Sequence, residues 1–212
     1  MTANSARQAI LDHVRTATRD DSNAYLDLPR NYVRRGALDS PARLHLMTAR
    51  LQEYGADVVE CLPADIPSTI ARQLRASGRR TFVAPAAIPA DWRDAGVSWK
   101  VDNGLSFEAI ESCEGVVTAS SAGIADSGTI VLHHSETEGR RVITLLPDFH
   151  LCILRASQIV ETLPEYFARC SEPPRLATYI SGPSATADIE MTRIKGVHGP
   201  RFLSVVIVRD NG

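Results

Sequence analysis

The sequence predicts an α/β fold, a three-layer α/β/α sandwich around a mixed, mostly parallel sheet. Three observations carry this. Helical segments with recognisable starts and stops alternate with short β-rich runs through the first half of the chain. Two nearly unbroken apolar runs, at 150–155 and 202–208, have the composition of central strands buried on both faces. The chain has 212 residues, 44% of them hydrophobic, which is enough for one core and too apolar for a disordered chain.

The elements follow in order. Residues 5–18 form an amphipathic helix, with Ile10, Leu11 and Val14 on one side. Residues 20–39 contain Pro29 and Gly36 and read as an extended arm with apolar teeth such as Tyr25, Leu28 and Tyr32. Domain organisation is therefore an N-terminal helix and arm over 1–40, then a single α/β domain over 41–212. Ser40-Pro41 starts a helix, a capping residue followed by proline, and Gly55 stops it. A strand over 56–62, a helix over 65–76 closed by Gly78, a strand over 81–84, a short helical piece and a strand over 97–101 complete the βαβ pattern.

The second half is richer in strands. Residues 115–119 form one. Residues 128–133 and 141–146 read as a hairpin around the polar turn 135–140. Residues 150–155 form a central strand, 157–170 a helix kinked by Pro164, 177–181 a short strand and 202–208 a last strand. Ligands in open α/β sheets bind beyond the carboxyl ends of strands. This rule selects two strand-exit loops, 118–128 and 182–190.

Composition excludes several function classes. A formal net charge of −2 argues against a broadly basic, sequence-blind nucleic-acid binder. No apolar stretch reaches the roughly 18 residues of a membrane span. The first 20 residues carry both charge signs and no apolar signal core, so a cytoplasmic location is expected. Cys61, Cys113, Cys152 and Cys170 are far apart and form no Cys-x-x-Cys, so neither a metal site nor an iron–sulfur cluster is expected in this chain.

Chemistry concentrates in three loops. Gly182-Pro-Ser-Ala-Thr-Ala-Asp-Ile-Glu190 is small, hydroxylated and acidic. Ser184 or Thr186 can cap a helix beginning near Ala187, which places Asp188 and Glu190 in its first turn. Its exposed amides can also hold an anion, a use with which the two carboxylates compete. The loop is neither Gly-x-Gly-x-x-Gly nor a Walker motif, so it licenses neither NAD nor ATP. Lys195-Gly196-Val-His198-Gly199-Pro200 specifies a shaped turn with His198 at its tip, either an acid–base group or a turn histidine bonded to backbone. In 118–129, Gly123, Gly128 and Thr129 permit close backbone approach by a ligand, and Asp126 either orients a ligand hydroxyl or closes an Asx turn. The candidate catalytic residues are Glu190, Asp188 and His198. The candidate ligand-binding residues are Gly123, Asp126, Gly128, Thr129, Gly182, Ser184, Thr186, Gly196 and Gly199. Adjacent His133 and His134 would point to opposite faces of a strand and cannot chelate together.

The segments 122–129, Leu145-Leu-Pro147, 180–190 and 196–200 resemble the lactate-utilisation protein C family, the LUD-domain proteins, in residue type, order and spacing. The resemblance is strongest over 116–208. It implies a fold similar to the NagB, ribose-5-phosphate isomerase and CoA-transferase group. It also implies a subunit of a system that oxidises L-lactate to pyruvate with two partner proteins, which carry the iron–sulfur clusters. An alternative is a stand-alone isomerase- or CoA-transferase-like enzyme, for which Glu190 is the available acyl-forming carboxylate. A folate- or nucleotide-using ligase finds only Arg193 and Lys195 as nearby cations.

Overall fold

The computed structural model describes residues 3–18, 28–93, 96–172, 174–186, 194–195 and 199–210. The chain divides into two units, Met1–Val33 and Arg34–Gly212. Among the described residues of the first is the helix α1 (Ala3–Ala17).

The second unit begins with α2 (Ser40–Glu53). Asp39, one residue earlier than the sequence suggested, is its cap and accepts from the Ala42 N–H, with proline in the first turn. Gly55 at φ +85° terminates it. There follow β1 (Asp57–Cys61), α3 (Ile66–Ala76), β2 (Thr81–Pro85), β3 (Ser98–Asp102) and α4 (Phe107–Glu111), the last capped by Ser106. The remaining elements are β4 (Gly115–Thr118), β5 (Ala122–Ile124), β6 (Thr129–Leu132), β7 (Phe149–Arg155), β8 (Ile159–Val160), α5 (Leu163–Arg169), β9 (Thr178–Ile180), β10 (Ala185–Thr186), β11 (Ile194–Lys195) and β12 (Phe202–Val208).

The central sheet has six strands in the order β1-β12-β7-β4-β2-β3, and every pairing is parallel. The antiparallel pairings lie elsewhere. A four-stranded sheet runs β8-β5-β6-β9, and β10 pairs with β11 in a small ribbon. The mixture of strand directions is thus divided between sheets.

Period-two alternation sends the side chains of β7 and β12 into two different cores. Leu151, Ile153, Val206 and Val208 pack with Ile70, Leu74 and Phe82 on the α3 side. Cys152, Leu154, Leu203, Val205 and Ile207 pack with Met47 and Leu51 of α2 and with Ile130 and Leu132 of the second sheet. The far side of that second sheet, through Val131 and Ile124, buries Tyr166 of α5.

Two expected elements differ. Residues 141–146 are not a strand, because Arg141–Thr144 is a 3-10 turn that buries Ile143 between α4 and the sheet. Residues 157–170 are not one kinked helix. Ile159 and Val160 pair with Gly123 and Ile124, and Pro164 opens α5 behind its cap, Thr162. The end of the predicted arm is fastened to this unit. The Gly36 N–H donates to Glu165 at 2.9 Å and the Leu38 N–H to Glu161 at 2.7 Å. A Cβ at Gly36 would overlap the Glu161 carboxylate.

Candidate functional site

The loop after β9 and the turn before β12 meet. The Ser184 N–H donates to the Pro200 carbonyl at 2.8 Å, and a Cβ at Gly199, which has φ +144°, would lie 3.7 Å from Ser184 Cβ. Between them lies a cavity of about 250 Å³, walled by Gly182, Ser184, Gly199, Arg141, Thr144 and His150 among others. Three of the residues selected from sequence, Gly182, Ser184 and Gly199, therefore line one cavity.

Its place in the fold differs from the expectation. The strand preceding Gly182 belongs to the second sheet. His150 and Leu203, which are register partners near the starts of β7 and β12, line the cavity. The cavity therefore lies at the amino ends of these central strands. The carboxyl ends carry two wider clefts. One of about 520 Å³ lies beside the start of α2 with Glu60 and Arg209. One of about 730 Å³ lies at the ends of β2 and β3 with Asp102, His134 and Arg140.

Backbone conformation fixes the Gly182 loop. Gly182 has φ +88°, and a Cβ there would lie 2.5 Å from Cβ of Tyr54, just past α2. Ser181 is joined to β6 through hydroxyls, with its Oγ 2.7 Å from Thr129 Oγ1, which is 2.8 Å from Ser127 Oγ. Thr129 thus braces the loop from behind and is itself buried.

The other residues of 118–129 lie elsewhere. Gly123 is buried in β5, where a Cβ would press on Leu154, Ile159 and Met47. Gly128, at φ +60°, closes the β5–β6 turn against Arg50 of α2, where a Cβ would lie 2.6 Å from Arg50 Cβ. Asp126 is exposed, and its N–H donates to the Glu161 carbonyl at 3.0 Å. Thr186 lies in β10, paired with Ile194. Asp188, Glu190, Gly196 and His198 lie outside the described residues, as does the helix start expected near Ala187.

Sequence reasoning missed the cavity floor. His150 is 1% exposed, and its Nε2 lies 2.8 Å from Thr118 Oγ1. Burial, and secondarily the Arg141 cation, hold its pKa down at about 3, so the imidazole is neutral. Arg141 is half-buried, and its Nη1 donates to the Thr144 hydroxyl at 3.1 Å and carbonyl at 3.3 Å. Burial draws the Arg141 pKa down. The signal for this floor was faint, since His150 opens an apolar run and Arg141 is one of a pair.

Polar links continue away from the cavity. His134, the one non-glycine residue with positive φ among those described, places Nδ1 2.9 Å from the Gly139 carbonyl and Nε2 2.7 Å from Thr178 Oγ1. His133 instead reaches Tyr166 Oη at 2.7 Å, so the two adjacent histidines serve different partners. Glu138 is buried and accepts from Ser121 Oγ at 2.5 Å and from the N–H groups of His133 and Ser135 at 2.7 and 3.1 Å. Among the described residues, no group of three or more His, Cys, Asp or Glu side chains is placed to hold a metal ion. No helix there is long and apolar enough to cross a membrane.

The same elements recur in known proteins. Over 169 residues the chain is 39% identical to the "Lactate utilization protein C" of Deinococcus radiodurans, spanning 78% of this chain and 79% of that one. A protein of the same name from Bacillus velezensis is 33% identical over 141 residues, which span 61% of this chain and 58% of that one. The crystal structure of a DUF162 family protein from Deinococcus radiodurans aligns with a TM-score of 0.66 and 33% identity, covering 81% of this chain and 99% of that one. The family model described as the LUD domain matches residues 43–208, from α2 to the last residue of β12, and the chain belongs to that family.

Proposed function

We propose that this chain is a cytoplasmic component of an L-lactate utilisation system, supporting oxidation of L-lactate to pyruvate with partner proteins that hold the iron–sulfur clusters. The observation that carries this is the 39% identity to a lactate utilization protein C along 79% of that protein's length. The chain's cysteines, Cys61, Cys113, Cys152 and Cys170, are far apart in sequence and form no Cys-x-x-Cys, which suits a division of labour in which the clusters belong to partners.

The test is deletion of this chain in its own host, followed by growth on L-lactate as carbon source and assay of lactate-to-pyruvate conversion in extracts. Loss of both, restored by the intact chain, is expected. Undiminished growth and conversion, with no second copy present, would end the reading. Tagged chain recovered from lactate-grown cells should bring down protein-bound iron and sulfide.

A further inference from the structure

Arg141 faces the cavity without a negative partner among the described residues. Its only hydrogen-bond acceptors there, the hydroxyl and carbonyl of Thr144, are neutral. No described ion pair includes it, whereas its neighbour Arg140 is bound by Asp102. Burial is what acts on its guanidinium, and no described carboxylate offsets that. An arginine does not escape burial by losing its proton. A partly desolvated cation therefore calls for an anion.

The surroundings define which anion. His150 is neutral and adds no second charge. Its Nε2 is committed to Thr118, and the residue lines the cavity. Ser181 and Ser184 contribute hydroxyl-bearing residues to the wall. About 250 Å³ lies just below the roughly 300–1,000 Å³ of pockets for drug-sized ligands, so the cavity suits a ligand smaller than a nucleotide or coenzyme. Arg141 also borders the cleft at the ends of β2 and β3, but Asp102 and Glu136 already bring negative charge there.

We propose that the cavity beneath Gly182 and Gly199 binds a small monoanionic carboxylate, held by the Arg141 guanidinium, with the neutral His150 in the wall. The ligand class follows from charge, volume and donor set, and does not depend on the lactate reading.

Calorimetric titration of the full chain at fixed ionic strength tests this with L-lactate, pyruvate, acetate and inorganic phosphate. At least one carboxylate should bind saturably and more tightly than phosphate. Arg141→Met, which keeps length and removes charge, should weaken it by roughly 10- to 100-fold, the value of a charged hydrogen bond. Arg141→Lys should recover part of that loss. Circular dichroism of each variant identifies any that fails to fold, and binding by the unaltered chain tests the proposal by itself. No binding by any probe, preference for phosphate, or equal binding by folded Arg141→Met overturns it. Carboxylate binding that appears only in Asp188→Asn/Glu190→Gln also overturns it, since the chain would then supply its own counter-charge. Cells lacking the chain that still grow on L-lactate would refute the lactate reading and leave these titrations unaffected.

Discussion

His150 Nε2 lies 2.8 Å from Thr118 Oγ1 across adjacent parallel strands, with both residues shut away from solvent. Thr118 is therefore the polar partner that makes a histidine tolerable between β4 and β12. Thr118→Val keeps the side-chain shape and removes that partner. Its expected cost is about 1–3 kcal/mol, the penalty for orphaning a buried polar atom, read as a shift of the urea midpoint at neutral pH.

The same histidine makes stability depend on pH in a definite direction. Its folded pKa, about 3, lies below the ordinary value of 6.5. Between these values the unfolded imidazole binds a proton that the folded one refuses. Stability is therefore fully present above about pH 6.5 and falls as pH drops, by up to about 1.4 kcal/mol per pH unit from this group. His150→Gln should show a shallower decline on acidification than the unaltered chain. Parallel declines would mean that carboxylates, not His150, set acid stability.

Gly182 and Gly55 share nearly the same backbone angle, φ +88° and +85°, in different surroundings. A Cβ at Gly55 meets nothing within 4 Å, whereas one at Gly182 strikes Tyr54. Gly55→Ala should cost about 1 kcal/mol of backbone strain. Gly182→Ala should cost more, about 2–3 kcal/mol, and should also weaken carboxylate binding by displacing the cavity wall. Equal melting temperatures for the two variants would show that the Tyr54 contact does not constrain the loop.

Asp102 is held below the usual carboxylate range first by the Arg140 side chain and then by the Leu105 and Gly104 N–H groups, with burial opposing. Arg140 binds it in a two-point grip at 2.5 and 2.8 Å. The carboxylate is 2% exposed but the guanidinium 46%, so water screens part of the pair. Arg140→Met should destabilise by about 1–3 kcal/mol, because it strands a buried charge. Asp102→Asn, which still accepts from the two N–H groups, should cost less. The contribution is present above the ordinary carboxylate pKa and is lost as pH falls through the lowered one.

Asp188→Asn with Glu190→Gln should abolish lactate-dependent growth while leaving the melting temperature nearly unchanged, if these carboxylates serve the site. A large fall in melting temperature with function kept per folded molecule would assign them to capping.

Much of the architecture was legible because strand and helix signals agreed with their surroundings. The Leu151–Leu154 run showed a strand buried on both faces, and β7 lies between β12 and β4. Arg141-Val-Ile-Thr144 failed because β-branched residues read as strand, while Ile143 is buried equally well from a 3-10 turn. Ile159 and Val160 were absorbed into a helix because two residues are too few to show a period. At the site, Gly182, Ser184 and Gly199 were visible as turn chemistry. His150, Arg141 and Thr144 were not, because their meeting depends on pairing across β7 and β12 and on a turn distant from both loops. The rule placing ligands at carboxyl ends of strands selected the Gly182 loop as the exit of a strand, but that strand, β9, belongs to the second sheet and not to the parallel one.

The strand order has a consequence for biosynthesis. β1 is among the earliest strands made, yet its neighbour in the sheet is β12, which follows every other strand. On the ribosome, β1 and the α2 surface packed near it must wait with an open edge until nearly the entire domain has been translated. Nascent chains arrested before residue 202 should consequently be recognised by chaperones and cut readily by protease between α2 and β2, and protection should arrive in a single late step once β12 leaves the exit tunnel.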